Sequence, residues 1–282
     1  MRTLPPPALN RLVYRVADAV ARAWAPTHDD DPTVPLSVVA GLSLIQPGPD
    51  EHALAREGDR RADEVLLDMV RVQWHHAINH RPDLAAPLSP LVLPWHGNHS
   101  VTGAALHGAR DVATSATRAG LFTLTADADT RGHIDLLGMV LTLLRGGKAG
   151  ALGGHYLPPG IADLMANATG AENARVVHEP NVGTGGLWRA TAQAMRKAGR
   201  DPSEVTWVGL DLDPLALACA ATNALCWGLG HRVVLGLGDG LDPTAEVRAH
   251  IQRAHALRVA EEARADRRMR NALHILTQKK EA

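Results

Sequence analysis

The sequence has 282 residues, enough for one large domain or two smaller ones, and its 45% of apolar residues exclude an intrinsically disordered chain. Its 29 basic and 30 acidic residues give a net charge of −1, so the chain as a whole lacks the basic excess typical of proteins that bind DNA by themselves. Aromatic residues make up only 3%, and aliphatic side chains must therefore fill most of the core.

The first 145 residues are expected to form a mainly helical domain. Apolar residues at helical spacing predict helices over 8–25, 51–78, 104–120 and 133–146. The segment 26–50 is rich in Pro and Asp and is predicted to be a loop with a short apolar run. Four prolines predict irregular structure over 81–103. Trp74 and Trp95 are expected to pack in the aromatic-poor core.

Strands and helices are expected to alternate after residue 146. The pattern predicts strands over 175–179, 205–210 and 231–237, and helices over 159–168, 187–198 and 214–227. Such alternation favours an α/β fold with a parallel sheet. The tail 244–282 carries nine basic and five acidic residues and is predicted to be one charged amphipathic helix.

The cysteines and the N-terminus favour a cytoplasmic protein. Cys219 and Cys226 are seven positions apart on one predicted helix, and reduced thiols are expected rather than a disulfide. No apolar signal region follows Met1, and no stretch is long and apolar enough to cross a membrane. We therefore expect neither secretion nor a membrane partner.

A glycine-rich segment, Glu-Pro-Asn-Val-Gly-Thr-Gly-Gly over 179–186, lies directly between a predicted strand and a predicted helix. Glycines there let the backbone turn sharply and approach a ligand. Asp211 and Asp239 follow the next two strands, where a carboxylate can accept hydrogen bonds from ribose hydroxyls or from an adenine amino group. Alone, each feature is also explained as a turn or a helix cap. Together, in order and roughly 30 residues apart, they indicate a nucleotide-like ligand.

Residues 135–241 resemble the N6-adenine DNA methyltransferases, above all the modification subunits of type I restriction systems. The helix starting at Asp135 resembles the helix that precedes the cofactor domain there, and Gly-Gly-His-Tyr-Leu-Pro over 153–158 resembles the family's G-x-F-Y-T-P. The segment 179–186 resembles D-P-x-x-G-T-G-G, and Asp-Leu-Asp-Pro over 211–214 resembles E-x-D-P. The segment 223–230 is similar to N-x-x-L-x-G, and 238–241 to G-D-x-L.

The resemblance implies S-adenosylmethionine (SAM) as cofactor and a Rossmann-like SAM-dependent methyltransferase domain over 146–243. A mainly helical domain over 1–145 would precede it, and a charged helix over 244–282 would follow. Glu179 would face the amino-acid and sulfonium end of the cofactor, Asp211 the ribose and Asp239 the adenine. The expected cofactor-binding residues are Tyr156, Glu179, Pro180, Gly183, Thr184, Gly185, Asp211 and Asp239.

The sequence also departs from the family pattern. Glu179 stands where the family has Asp, Leu157 where it has Thr, and His155 where it has an aromatic residue. The family's Asn/Asp/Ser-Pro-Pro-aromatic tetrapeptide, which binds the target amine and stacks on a flipped base, does not occur in these 282 residues. No target-recognition region is recognisable after Asp239. Catalytic residues therefore stay unassigned, and we expect the chain alone not to methylate DNA.

Four functions remain open at this stage. The first is an adenine methyltransferase that acts on DNA and is completed by a specificity or catalytic partner subunit. The second is a SAM-binding pseudoenzyme with a regulatory or assembly role, and the third is a methyltransferase for a substrate other than nucleic acid. A dinucleotide oxidoreductase is weaker, because 183–186 lacks the G-x-G-x-x-G spacing.

Six histidines cluster between His75 and His107. His76 and His80 are spaced to share a helix face, which can suit a metal ion. No His-Glu-x-x-His pattern and no nearby cysteine supports such a site. Surface or interface histidines are therefore expected, and no metal ligand is assigned.

Overall fold

Helices fill most of the first 146 residues in the computed structural model, which describes residues 5–27, 30–48, 60–96, 101–146 and 157–278. In chain order they are α1 (Pro6–Trp24), α2 (Thr33–Ser43), α3 (Arg60–His80), α4 (Ala85–Val92), α5 (Gly103–Ala119), α6 (Leu121–Leu124), α7 (Ala128–Gly132) and α8 (Leu136–Leu144). Short 3₁₀ turns lie at Ala25–Thr27, Pro82–Leu84 and Leu93–Trp95. The helices predicted near 8–25, 104–120 and 133–146 are confirmed. For 51–78, only the part from residue 60 lies within the described residues.

The prediction of a loop over 26–50 is wrong, because this segment contains α2. Residues from Pro35 to Ser43 of α2 are all buried, so the helix has no polar face that could produce an amphipathic pattern. Its prolines do not prevent a helix either. Pro32 is the N-cap and Pro35 lies in the first turn, where backbone N–H groups have no partner within the helix.

The prediction of irregular structure over 81–103 is also wrong, since this segment contains α4. Pro87 lies in its first turn, where a proline is tolerated. Pro90 lies inside the helix and cannot donate to the carbonyl of Ala86. The Ser89 hydroxyl donates to that carbonyl instead, at 2.8 Å, and so replaces the missing backbone hydrogen bond.

Trp74 and Trp95 are buried, as predicted, and meet at one polar side chain. Both indole N–H groups donate to the hydroxyl of Ser37, at 3.1 and 2.6 Å. That hydroxyl in turn donates to the carbonyl of Leu91. These three hydrogen bonds give the buried polar side-chain atoms of Ser37, Trp74 and Trp95 a partner inside the core.

The second half alternates between helices and strands, as predicted. Its elements are α9 (Pro159–Ala168), β1 (Val176–Glu179), α10 (Gly186–Lys197), β2 (Thr206–Asp211), α11 (Pro214–Cys226), β3 (Val233–Leu237) and α12 (Ala245–Gln278). The strands form a parallel sheet in the order β1-β2-β3, with Glu179 opposite Gly209 and Asp211 opposite Leu237. The described chain is therefore mostly helical with a small parallel sheet.

The two faces of the sheet are covered differently. On one face, the rings of Trp188 and Trp207 lie with their centres 5.7 Å apart and belong to the main apolar cluster, which also includes side chains of α1 to α6 and α8. On the other face, Val208 and Val234 pack against Ala249 at the start of α12. The charged tail helix is thus docked at its beginning, whereas its residues 261–271 are exposed.

Further contacts hold α12 to the body of the protein. Arg253 donates to the carbonyls of His231 and Val233 at 2.7 and 3.1 Å, and Arg264 donates to the carbonyl of Asn79 at 2.7 Å. None of the helices in the described part of the chain has the length and apolar character needed to cross a membrane. Both cysteines lie on α11 with free thiols.

Candidate functional site

The carboxyl ends of the three strands open into a cleft of about 810 Å³. This volume lies within the range of roughly 300–1,000 Å³ typical of small-molecule sites, and open parallel sheets bind ligands at this edge. Five of the residues predicted from the sequence line the cleft: Pro180, Gly183, Thr184, Asp211 and Asp239. The structure thus brings residues from three separate strand ends together around one space.

The other three predicted residues are placed differently. Tyr156 lies outside the described residues. Glu179 and Gly185 are not among the described residues that line the cleft. Gly185 has a φ of +92°, and a Cβ there would come within 2.9 Å of the Trp227 ring, so this position requires glycine for packing as well as for its backbone conformation. Contacts of all eight residues with a ligand stay predictions.

Asp211 links the end of β2 to the glycine-rich turn. Its side chain is buried, and its carboxylate accepts from the backbone N–H groups of Gly183 at 2.7 Å and Asp213 at 2.9 Å. A carboxylate has about four acceptor positions, so these two bonds leave capacity for ligand hydroxyls. Asp211 therefore both shapes the cleft and can bind within it.

Arg145 and Asp213 form an ion pair at the side of the cleft. The guanidinium contacts both carboxylate oxygens, with Nη2 to Oδ1 at 3.0 Å. Burial works to raise the pKa of Asp213, but the hydrogen bonds and charge of Arg145, with the N–H of Leu215, outweigh it and hold that pKa below its usual value. Among the described lining residues, Arg145 is the one cation and stands against four aspartates. The lining as a whole is acidic and favours a cationic ligand.

Glu179 is half-buried at the end of β1, just before the lining residue Pro180. Burial raises the pKa of its carboxyl, and the N–H of Asn181 and the nearby His178 oppose this only in part. Ionisation of Glu179 is therefore less favourable than for a carboxyl group in water, and a bound cation would favour it.

The rim of the cleft is the loop after β3. Asp239 is exposed there and accepts from the N–H of Leu241 at 2.9 Å. A Cβ at Gly240 would collide with the carbonyl of Pro180, so the loops after β1 and β3 touch at this glycine. Leu241 is 89% exposed.

A buried polar cluster lies under the turn and was not predicted as part of the site. Asp135 begins α8 and accepts from the N–H of Gly138 at 2.9 Å, the hydroxyl of Thr184 at 2.7 Å and the amide of Asn223 at 2.9 Å. The same Asn223 amide also donates to the carbonyl of Thr184 at 2.8 Å. Burial raises the pKa of Asp135, and these three hydrogen bonds oppose the rise.

The motifs that carried the resemblance contained the signal for this cluster. Asp135, Gly138 and Asn223 all lie in those motifs, but the sequence does not show that they meet. Asp135 and Gly138 line the cleft.

The match to known proteins agrees with this arrangement. Residues 135–250 match the family model described as N-6 DNA Methylase. Within these residues the chain is similar to that family. The resemblance inferred from the motifs is thereby confirmed, and the match begins at the buried Asp135 and contains all three strands.

A solved structure that the chain resembles is the methyltransferase subunit of the type I restriction-modification system from Streptococcus thermophilus. The identity is 18% and the TM-score is 0.46, and the match covers 86% of this chain and 61% of that one. The chain therefore spans less than two thirds of the length of that subunit. No curated protein matches the chain.

Three histidines of the cluster pack ring against ring. The rings of His76 and His80 stack with their centres 6.0 Å apart, and His75 lies edge-on to His76. Within the described ranges, no group of three His, Cys, Asp or Glu side chains is arranged to hold a metal ion. His99 lies outside those ranges.

Proposed function

We propose that the chain binds SAM in this cleft as a cytoplasmic protein of the N6-adenine DNA methyltransferase type. In this proposal, residues 146–243 form a Rossmann-like methyltransferase domain after a helical domain over 1–145, with 244–282 as an appended helix. One observation carries the proposal: Gly183 and Thr184 of the glycine-rich turn, Asp211 and Asp239 lie at the carboxyl ends of three neighbouring parallel strands and line a single cleft.

The charge of the cleft supports a cationic cofactor. SAM carries a sulfonium and an ammonium group against one carboxylate, and the described lining has an acidic excess. Asp211 would accept from the ribose hydroxyls, Asp239 would bind the adenine edge, and Glu179 would lie nearest the amino-acid and sulfonium end. When bound, SAM would supply an electrophilic methyl group. The residues of this chain would bind and orient it.

The substrate proposed is adenine in DNA, with the target held by a partner. An exocyclic adenine amine is a poor nucleophile, and transfer needs it fixed in line with the methyl group. The family's tetrapeptide that accepts hydrogen bonds from this amine is absent from these 282 residues. We therefore propose that a catalytic or specificity subunit completes the site.

Calorimetry and a methylation assay test these two parts separately. The purified chain should bind SAM and not NAD⁺, and Asp211→Ala should weaken the binding. Failure to bind SAM would overturn the cofactor assignment. Incubated with labelled SAM and mixed-sequence DNA, the chain alone should form no N6-methyladenine. Methylation above the level of Asp211→Ala would show instead that the chain holds its own target-binding segment.

A further inference from the structure

Asp135 is a buried carboxylate that touches the cleft from below. Its side chain is only 4% exposed, yet the residue belongs to the lining of the cleft. Its three hydrogen-bond donors come from α8, the glycine-rich turn and α11, through Gly138, Thr184 and Asn223. All three donors are neutral, so they stabilise a negative charge without cancelling it.

The described part of the chain provides Asp135 with no ion pair. Arg189 acts on it through space, but its guanidinium is bound to Asp163 at 2.7 Å. Arg145, the cation of the lining, is paired with Asp213. A buried charge without a contacting counter-ion is costly in the free protein, and its field extends far in a low-dielectric interior.

The Thr184 hydroxyl, which belongs to a residue that lines the cleft, is polarised by this carboxylate. Because its proton points to Asp135, the oxygen can only accept hydrogen bonds from the cleft that Thr184 lines. Gly138 allows this contact, since a Cβ there would lie 2.7 Å from the Thr184 oxygen and would collide with the Asp135 carboxylate. The cleft therefore contains a hydrogen-bond acceptor, the Thr184 oxygen, that lies next to the negative charge of Asp135.

We propose that Asp135, acting directly and through Thr184, raises the affinity of the cleft for a cationic cofactor relative to the neutral demethylated product. The inference rests on the proposed function and adds a residue that selects the methyl-carrying form. SAM bears a positive sulfonium, whereas S-adenosylhomocysteine has a neutral sulfur at the same place. A purely structural Asp135 would affect both ligands alike.

Calorimetric titration of the full chain with three ligands tests this. The ligands are SAM, sinefungin (in which a protonated amine replaces the sulfonium) and S-adenosylhomocysteine. Asp135→Asn keeps the size and most hydrogen bonds of the side chain and removes its charge. It should weaken SAM and sinefungin about tenfold and S-adenosylhomocysteine by less than about threefold. Asp68→Asn on the exposed face of α3 is the matched control and should change none of the three affinities.

Each result decides the proposal. Equal losses of affinity for all three ligands, or no loss for any, would overturn the role given to Asp135. Neither result would contradict the proposal that the cleft binds SAM. If Asp135→Asn does not fold, Thr184→Val replaces it, because this variant removes the hydroxyl at nearly constant volume and should show the same selectivity for the charged ligands. If the unaltered chain binds none of the three, the proposed function and this inference fail together.

Discussion

The floor of the cleft, which comprises Asp135, Thr184 and Asp211, and its rim, which is the loop after β3, are held in different ways. On the floor, the buried Asp135 accepts hydrogen bonds from two other segments, through Thr184 and Asn223, and the buried Asp211 accepts one from the glycine-rich turn, through Gly183. On the rim, Asp239 is exposed, and its carboxylate accepts a hydrogen bond from the N–H of Leu241, two residues further along its own loop. Hydrogen bonds between distant segments therefore hold the carboxylates of the floor, whereas the carboxylate of the rim is held within its own loop.

The largest effect is expected from a substitution that adds a methyl group at the floor of the cleft. Gly138→Ala would place a methyl group against Asp135 and Thr184 and disrupt their hydrogen bond. We expect a loss of about 3 kcal/mol in the free energy of unfolding, from overpacking and from unsatisfied buried groups. Urea denaturation measures it. Gly160→Ala is the matched control, because nothing lies within 4 Å of a Cβ there, and it should be neutral or slightly stabilising.

A second prediction concerns the ligand contact of the floor. Asp211→Ala removes a carboxylate that holds Gly183 in place and still has acceptor positions free. Charge-assisted hydrogen bonds contribute roughly 1.5–3 kcal/mol, so SAM binding should weaken by at least about tenfold in calorimetry. The surface variant Asp68→Ala should bind as the unaltered chain does. Unchanged affinity in Asp211→Ala would remove this residue from the site.

A third prediction concerns the half-buried Glu179 at the end of β1. Because its folded pKa is raised above the ordinary 4.5, its contribution to stability is complete below that pH and is lost as pH rises through the folded pKa. Glu179→Gln should therefore stabilise the free protein at pH 7, and the gain should vanish below about pH 4.

The same Glu179 variant separates function from stability. If the carboxylate faces the sulfonium and ammonium end of SAM, Glu179→Gln should weaken SAM binding by about fivefold even though the protein is more stable. Thermal melts and calorimetry at pH 7 give both values. A variant that is more stable and binds equally well would place Glu179 outside the ligand's reach.

The smallest effect is expected on the rim. Asp239→Ala removes an exposed carboxylate whose charge is screened by water, so SAM affinity should fall by less than about threefold and stability should hardly change. A loss as large as that of Asp211→Ala would show that the rim closes over the ligand and becomes as ordered as the floor.

The sequence predicted the parts of the site that depend on local patterns. The strands, the glycine-rich turn and the aspartates at the end of β2 and after β3 are short-range features, marked by apolar runs and turn-specific residues. The Asp135 cluster was missed because it joins positions 49 and 88 residues apart, and no pattern shows which polar side chains meet. Likewise α2 was missed because it is buried all round and shows no polar face.

Hydrogen exchange of backbone amides, measured by mass spectrometry with and without SAM, tests most directly whether the cleft binds the cofactor. We expect SAM to slow exchange over 180–187 and 211–214, with a smaller effect over 238–241. The second groove of the described chain, lined by Pro87, Leu217 and Leu237 among others, should show no change. Protection at that groove, or none at the turn and at Asp211, would contradict the account.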